Sequence, residues 1–377
     1  MSDFSSLGNP FLKRVIVKGM SLFLLVNLIF VWLNPIPFLG KISVYNVLFP
    51  GRVRLPYGEV PDEAYNLSLY SLEAMFNSHE VSAGDMPNNE YRVFLIGDSS
   101  VWGYLLEPEN TLSKYISAAN LQVSDGRTVR AYNLGYPTMS LAKDLLLMSY
   151  SLQYEPDLII WLVTLESFPI DHQLDSPIVQ NNPYKVKDLI TKYSLNLNIN
   201  DHTLVKSGFL DSTLIGQRRA LADIIRLQLY GVLWAATGID QYYPASYAPP
   251  QENLEKDESF YEMQPPNLYP SNLSFDILSA ASMLAGKIPI IYVNEPIYIS
   301  QGENSDIRYN FFYPQWAYDQ YRHLLTDTCR QHGWMCLDEW DLVSADEFTN
   351  SAIHMTPQGT QLLATQIEKA ILSIHEP

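Results

Sequence analysis

From Tyr91 onward the chain alternates short apolar runs with longer stretches of helical character, and no other feature restricts its fold as much. Arg92 to Ile96, Val129 to Leu134, Leu158 to Val163, Ile288 to Val293 and Trp334 to Leu337 have the length and branched apolar content of strands. Between and after them, Leu112 to Ala119, Leu141 to Leu152, Phe275 to Ala285, Trp316 to His332 and Pro357 to Ser373 read as helices. Strand and helix in turn mean βαβ units, with parallel strands and helices on both faces of the sheet. The expected fold class is therefore α/β, a three-layer α/β/α sandwich around a five-stranded parallel sheet.

The alternation lapses at about 170–270, too long a gap for an ordinary loop, so an insertion with its own structure is expected there. Within it, Arg218 to Trp234 reads as a helix with Leu221, Ile224, Ile225 and Leu229 on one apolar face. The neighbouring Gln241 to Pro270 is dense in Tyr and Pro. It either packs down on the domain as an irregular loop or forms a lid or substrate platform near an active site.

Ahead of the sheet pattern, Val15 to Leu33 is a nearly unbroken apolar run, long enough to span a bilayer. Lys13, Arg14 and Lys18 on its leading side favour a cytoplasmic N-terminus over residues 1–14, a transmembrane anchor at 15–34 and an extracytoplasmic main domain. Lys41, Arg52 and Arg54 weaken that asymmetry, which keeps the opposite orientation open. A cleaved signal peptide is the other rival, but the segment from Asn34 lacks a small-x-small cleavage pattern. Residues 35–90 are turn-rich and form a stalk and lead-in to the domain at 91–377.

A formal charge of −17 would repel phosphate backbones and excludes a nucleic-acid partner. The two cysteines, Cys329 and Cys336, could pair in an oxidising compartment or remain as buried thiols. No zinc-ligand spacing, phosphate-binding loop or dinucleotide fingerprint occurs, so no metal or cofactor is expected.

Chemistry concentrates at the strand ends. Gly97-Asp98-Ser99 follows the first strand directly, and a serine there faces the crevice where parallel sheets bind ligands. Tyr132-Asn133-Leu134-Gly135 closes the second strand, and His354 stands just before Pro357, which suits the first turn of the last helix. Serine with imidazole is a reactive combination, because the hydroxyl alone is a poor nucleophile and a neutral imidazole within reach takes its proton. No Gly-x-Ser-x-Gly elbow is present.

These segments, in this order, resemble the conserved blocks of the SGNH (GDSL) hydrolase superfamily over about residues 91–168 and 288–373. The resemblance implies a flavodoxin-like sheet and a serine acyl-enzyme, with Ser99 as nucleophile and His354 as base. The amides of Ser99 and Gly135 would form the oxyanion hole. Where the family places an oxyanion-binding asparagine after the third strand this chain has Thr164, whose hydroxyl is the substitute at hand. Where the family has an aspartate three residues before the histidine this chain has Ser351, so Asn350, Ser351, Asp346 or Glu347 is left to orient His354. Asp98 and Glu295, at the ends of the first and fourth strands, are the expected substrate-binding carboxylates.

Anchored members of the family resemble proteins of cell-envelope O-acylation that work beside a membrane-bound O-acyltransferase. The implied activity is acyl-ester hydrolysis or O-acyl transfer on a cell-envelope glycan or lipid-linked substrate. The alternative is a catalytically degenerate domain that binds a glycan or scaffolds a membrane acylation complex, which the two altered blocks favour and the retention of Ser99 with His354 disfavours.

Overall fold

The computed structural model describes residues 10–39, 42, 44–49, 72–76, 79–82, 87, 89–204, 208–239 and 243–374. Five strands form one sheet: β1 (Glu90–Ile96), β2 (Thr128–Asn133), β3 (Leu158–Val163), β4 (Ile290–Asn294) and β5 (Met335–Asp338). Their order is β2-β1-β3-β4-β5 and every pair is parallel. The chain leaves β1 for one edge and returns across it to β3, so the carboxyl end of β1 lies where strand order reverses, the place at which open parallel sheets hold ligands.

Helix α1 (Pro10–Leu33) precedes the sheet, followed by short helices α2 (Ile36–Leu39), α3 (Val44–Leu48) and α4 (Leu72–Phe76). A one-turn helix, α5 (Ser99–Trp102), follows β1, and α6 (Leu112–Ala118) leads to β2. After β2 come α7 (Leu141–Ser151), then β3, then the insertion helices α8 (Pro177–Gln180), α9 (Pro183–Tyr193) and α10 (Arg218–Thr237). The order closes with α11 (Phe275–Ala285), β4, α12 (Gln315–His332), β5 and α13 (Pro357–Ser373). The five helices expected between the strands are all present, two of them with the expected ends. The fourth strand starts two residues later than its apolar run, after Pro289, which has no N–H to give to a ladder.

Alternate strand residues separate into two cores. Phe94, Ile96, Ile159, Trp161, Val163 and Tyr292 point towards α7, α11 and α12. Val93, Leu95, Ile160, Leu162, Ile291 and Val293 point towards α6 and α13. Every residue of β3 is buried, as expected of a strand covered on both faces. Cys329 and Cys336 are joined by a disulfide that ties the end of α12 to β5, with Cα atoms 6.3 Å apart.

In α1 the apolar side chains face outward, and Asn27 is its one buried residue among those described. The helix is long and apolar enough to cross a membrane. It starts at Pro10, five residues before the apolar run, because proline suits a helix's first turn and the basic residues tolerate one. Most of the expected 35–90 lead-in and residues 1–9 lie outside the described residues. The apolar face expected on α10 is only partly covered. Ile224 is buried at 6% and Leu221 half-buried, but Ile225 and Leu229 are 58% and 60% exposed.

Candidate active site

The sheet's carboxyl edge brings residues 99 and 354 together across 255 positions of sequence: Ser99 Oγ lies 2.8 Å from His354 Nε2. Local chemistry fixes each partner. Asp98 caps α5 by accepting from the Ser100 amide at 2.8 Å, which sets Ser99 as the first residue of that turn. Gly97 is required just before it, since a Cβ there would meet Val101 Cγ2 at 2.5 Å. On the other side, Thr349 donates its amide to the His354 carbonyl at 2.7 Å, and the Thr356 side chain caps α13. His354 is thereby held on a short closed loop against the rigid final helix.

His354 Nδ1 faces Asn350 Oδ1 at 3.3 Å. Among the described residues the ring bonds to Ser99 and Asn350, and not to Ser351, Asp346 or Glu347. Glu347 is committed elsewhere, because its carboxylate accepts from the Thr356 hydroxyl and braces the α13 cap. Asp346 is exposed. The Tyr104 ring packs on His354 with centroids 4.9 Å apart. Burial lowers the imidazole's pKa below its ordinary 6.5, and the Asp98 charge opposes that shift.

The remaining expected residues lie close by but are engaged in the protein itself. Gly135 donates its amide to Asn133 Oδ1 at 3.0 Å, and a Cβ there would sit 2.4 Å from the Trp102 nitrogen. Glycine at this position lets the chain pass against α5. The Thr164 hydroxyl is fully buried and shares a hydrogen bond with Tyr313 Oη at 2.9 Å, beneath the surface of the site. Glu295, 1% exposed, accepts from the Ser100 hydroxyl beneath α5. Burial first, then the charge of Asp98, pushes its carboxyl well above the usual range. Asp98 and Glu295, expected as substrate-binding carboxylates, are both buried and support the serine turn from within.

One support was not foreseen. Lys143 on α7 is fully buried, donates from Nζ to the Gly97 carbonyl at 2.7 Å and to the Tyr136 carbonyl at 3.1 Å, and pairs with Asp144 at 2.5 Å. Asp144 also accepts from Trp161 Nε1 at 3.1 Å. Burial pushes its carboxyl up to about 6.

A cavity of about 380 Å³ opens beside Ser99, with Met139, Glu166, His172, Asp175, Tyr261 and Phe312 in its walls. A second, of about 450 Å³, shares Glu166, Tyr261 and Phe312 with it and extends to Glu255, Asp257 and Phe311. The insertion supplies much of both. Among the described residues, the Tyr/Pro-rich stretch packs down on the domain. Leu254, Phe260 and Leu268 are buried, while Tyr261 faces the cavity and donates its hydroxyl to Glu166.

No family model matches the chain, and no curated protein does. Among solved structures it is similar to a lipase/acylhydrolase from Enterococcus faecalis, at 14% identity and a TM-score of 0.36 over 76% of this chain and 97% of that one. It is similar also to a carbohydrate acetylesterase family member from Sinorhizobium meliloti, at 12% identity and 0.32 over 74% and 96%. A member of the lipolytic protein G-D-S-L family from Veillonella parvula aligns at 11% identity and 0.33 over 74% and 96%.

Proposed function

We propose that the chain is a serine esterase or O-acyltransferase of the SGNH type, forming an acyl-enzyme on Ser99 with His354 as general base. The 2.8 Å contact between Ser99 Oγ and His354 Nε2 carries this reading. For Nε2 to accept the serine proton, the ring's other nitrogen must hold its own, and Asn350 Oδ1 is where that proton points. Ser99 Oγ attacks the ester carbonyl as its proton passes to His354. The tetrahedral intermediate collapses, and His354 returns the proton to the departing alcohol. Water, or an acceptor hydroxyl deprotonated by the same imidazole, then takes the acyl group and frees Ser99.

Asn350 supplies a tautomer-setting oxygen without a charge, so the transient imidazolium relies on the nearby Asp98 carboxylate, whose charge already favours it. With the Gly135 amide engaged and the Thr164 hydroxyl buried against Tyr313, the Ser99 amide is the oxyanion donor left from the expected set. A missing donor costs roughly a hundredfold or more in rate, so turnover should be modest.

The substrate class we assign is an O-acylated glycan or lipid-linked ester at the cell envelope. Two features support it: carboxylates and aromatic rings line the two neighbouring cavities, as sugar hydroxyls and ring faces require, and α1 could hold the site beside a membrane. The Cys329–Cys336 disulfide suits an oxidising compartment and hence an extracytoplasmic domain. A membrane-bound O-acyltransferase is the proposed partner for transfer. The degenerate glycan-binding or scaffold reading is favoured by one observation, the neutral Asn350 where a carboxylate is expected.

A fluorophosphonate probe decides between them. It should label the wild-type chain at Ser99, and Ser99→Ala should lose both labelling and p-nitrophenyl acetate hydrolysis. A folded wild-type chain that stays unlabelled removes the enzymatic reading.

A further inference from the structure

Helix α10 carries an outward apolar stripe that the domain does not cover. Ile225, Leu229 and Leu233 are 57–60% exposed and follow one another at helical spacing, with Tyr230 beside them at 43%. The opposite face is seated: Ala220 and Ile224 pack on Ile36, with Phe30 and Leu39 alongside. Gln228 also accepts from the Val44 amide at 2.7 Å. Those partners belong to the end of α1 and the helices just after it. The loop before α10 goes further, since the Ile215 amide reaches Asn27 Oδ1 at 3.4 Å, and a cavity of about 400 Å³ lies between Phe23, Leu24 and Leu28 of α1 and Phe209, Leu210 and Ile215.

At about 1.5 Å per residue, Asn27 lies about 9 Å inward from the end of α1. A loop that meets the helix there lies below the level at which α1 would leave the hydrocarbon layer. Its outward residues are apolar accordingly, with Phe209 60%, Leu210 75% and Ile215 49% exposed. Arg218 and Arg219 are exposed at the start of α10, on a chain whose net charge is −17, while Arg226, two turns on, is paired with Asp223 at 2.7 Å.

We propose that the outward face of α10, together with residues 209–215, lies in the headgroup and upper acyl region of the bilayer that holds α1, with Arg218 and Arg219 on anionic headgroups. An amphipathic helix with a basic polar side binds such an interface by buried apolar area and headgroup charge together. Asn27 is then a polar residue at membrane depth with its needs met, donating to the Phe23 carbonyl and accepting from Ile215. The domain would rest on the membrane through two elements, which fixes the tilt of its active-site crevice above the lipid surface. This inference needs α1 in a bilayer but is independent of the esterase reading.

The test uses the full chain in phosphatidylcholine/phosphatidylglycerol vesicles, with an environment-sensitive fluorophore on Leu229→Cys, Leu233→Cys or, as a control, Leu362→Cys on α13. The native cysteines are bonded to each other, so the label is unique. All three positions are already exposed, so the substitutions leave the core unchanged. Labels at 229 and 233 should shift to the blue, resist iodide several-fold better than the label at 362, and be quenched by lipids bearing a nitroxide near the headgroup. Iodide access equal to that at 362 would overturn the proposal. So would protection from iodide without nitroxide quenching, which would mean a protein partner covers the face. Alkaline carbonate extraction of the same chain reports on α1 separately.

Discussion

His354 Nδ1 and Asn350 Oδ1 face each other at 3.3 Å, on a loop whose ends are closed by Thr349 and Thr356. An amide oxygen can hold the imidazole in the tautomer that leaves Nε2 free to accept from Ser99, but it adds no negative charge. If His354 is the base proposed above, Asn350→Ala should lower kcat by about tenfold, a fraction of the roughly 10²–10⁴-fold that general acid–base catalysis contributes, because the imidazole itself remains. Asn350→Asp should raise kcat above wild type, because a carboxylate at the same distance stabilises the imidazolium. Ester hydrolysis with both variants, at saturating substrate and well above the histidine pKa, is the measurement. Equal kcat in all three proteins would remove Asn350 as the positioning residue.

The acid limb of the pH profile follows from the same histidine. Burial favours the neutral imidazole and shifts its pKa below 6.5, with Asp98 only partly offsetting the shift. A general base works when neutral, so kcat/KM should stay on its plateau as pH falls through 6.5 and decline only below the shifted pKa. Asn350→Asp should move that limb upward, since a charge beside Nδ1 favours protonation. A limb at or above 6.5 in the wild-type chain would mean that the titrating group is not the buried His354.

The parts visible in sequence are those set by short-range pattern. Both faces of β3 are buried, so Leu158 to Val163 had to be continuously apolar, and Pro357 marked the last helix. Ser99 and His354 were legible because each sits at a strand or helix end. Their surroundings were not. Lys143 and Asp144 look like the wet side of α7, and only the packed fold shows that Gly97 and Tyr136 present carbonyls to that lysine. Glu295 ends a strand, as crevice residues do, yet it turns under α5 to Ser100. Leu229 and Ile225 keep the spacing of a core face, and spacing cannot tell a protein interior from any other apolar surrounding.

The buried Lys143–Asp144 pair makes a stability prediction with a definite pH sign. Lys143→Met keeps the volume but strips the Gly97 and Tyr136 carbonyls of a donor and leaves Asp144 without its cation. Removing one partner of a buried pair costs about 3–5 kcal/mol when the other stays charged. Asp144 can escape that cost by taking a proton. Its carboxyl is already pushed up to about 6 with Lys143 opposing the rise, so losing Lys143 must push it higher. A carboxyl whose pKa is raised on folding holds its proton more tightly in the folded state. The stability it contributes is therefore present at low pH and is lost as pH rises through the folded-state value. Chemical denaturation should find Lys143→Met nearer to wild type at pH 5 than at pH 8. Lys143→Met with Asp144→Asn should lose this extra pH dependence, because the amide keeps an acceptor for Trp161 and carries no proton to titrate. A deficit in Lys143→Met that is the same at both pH values would mean that Asp144 does not take up a proton when it loses its partner.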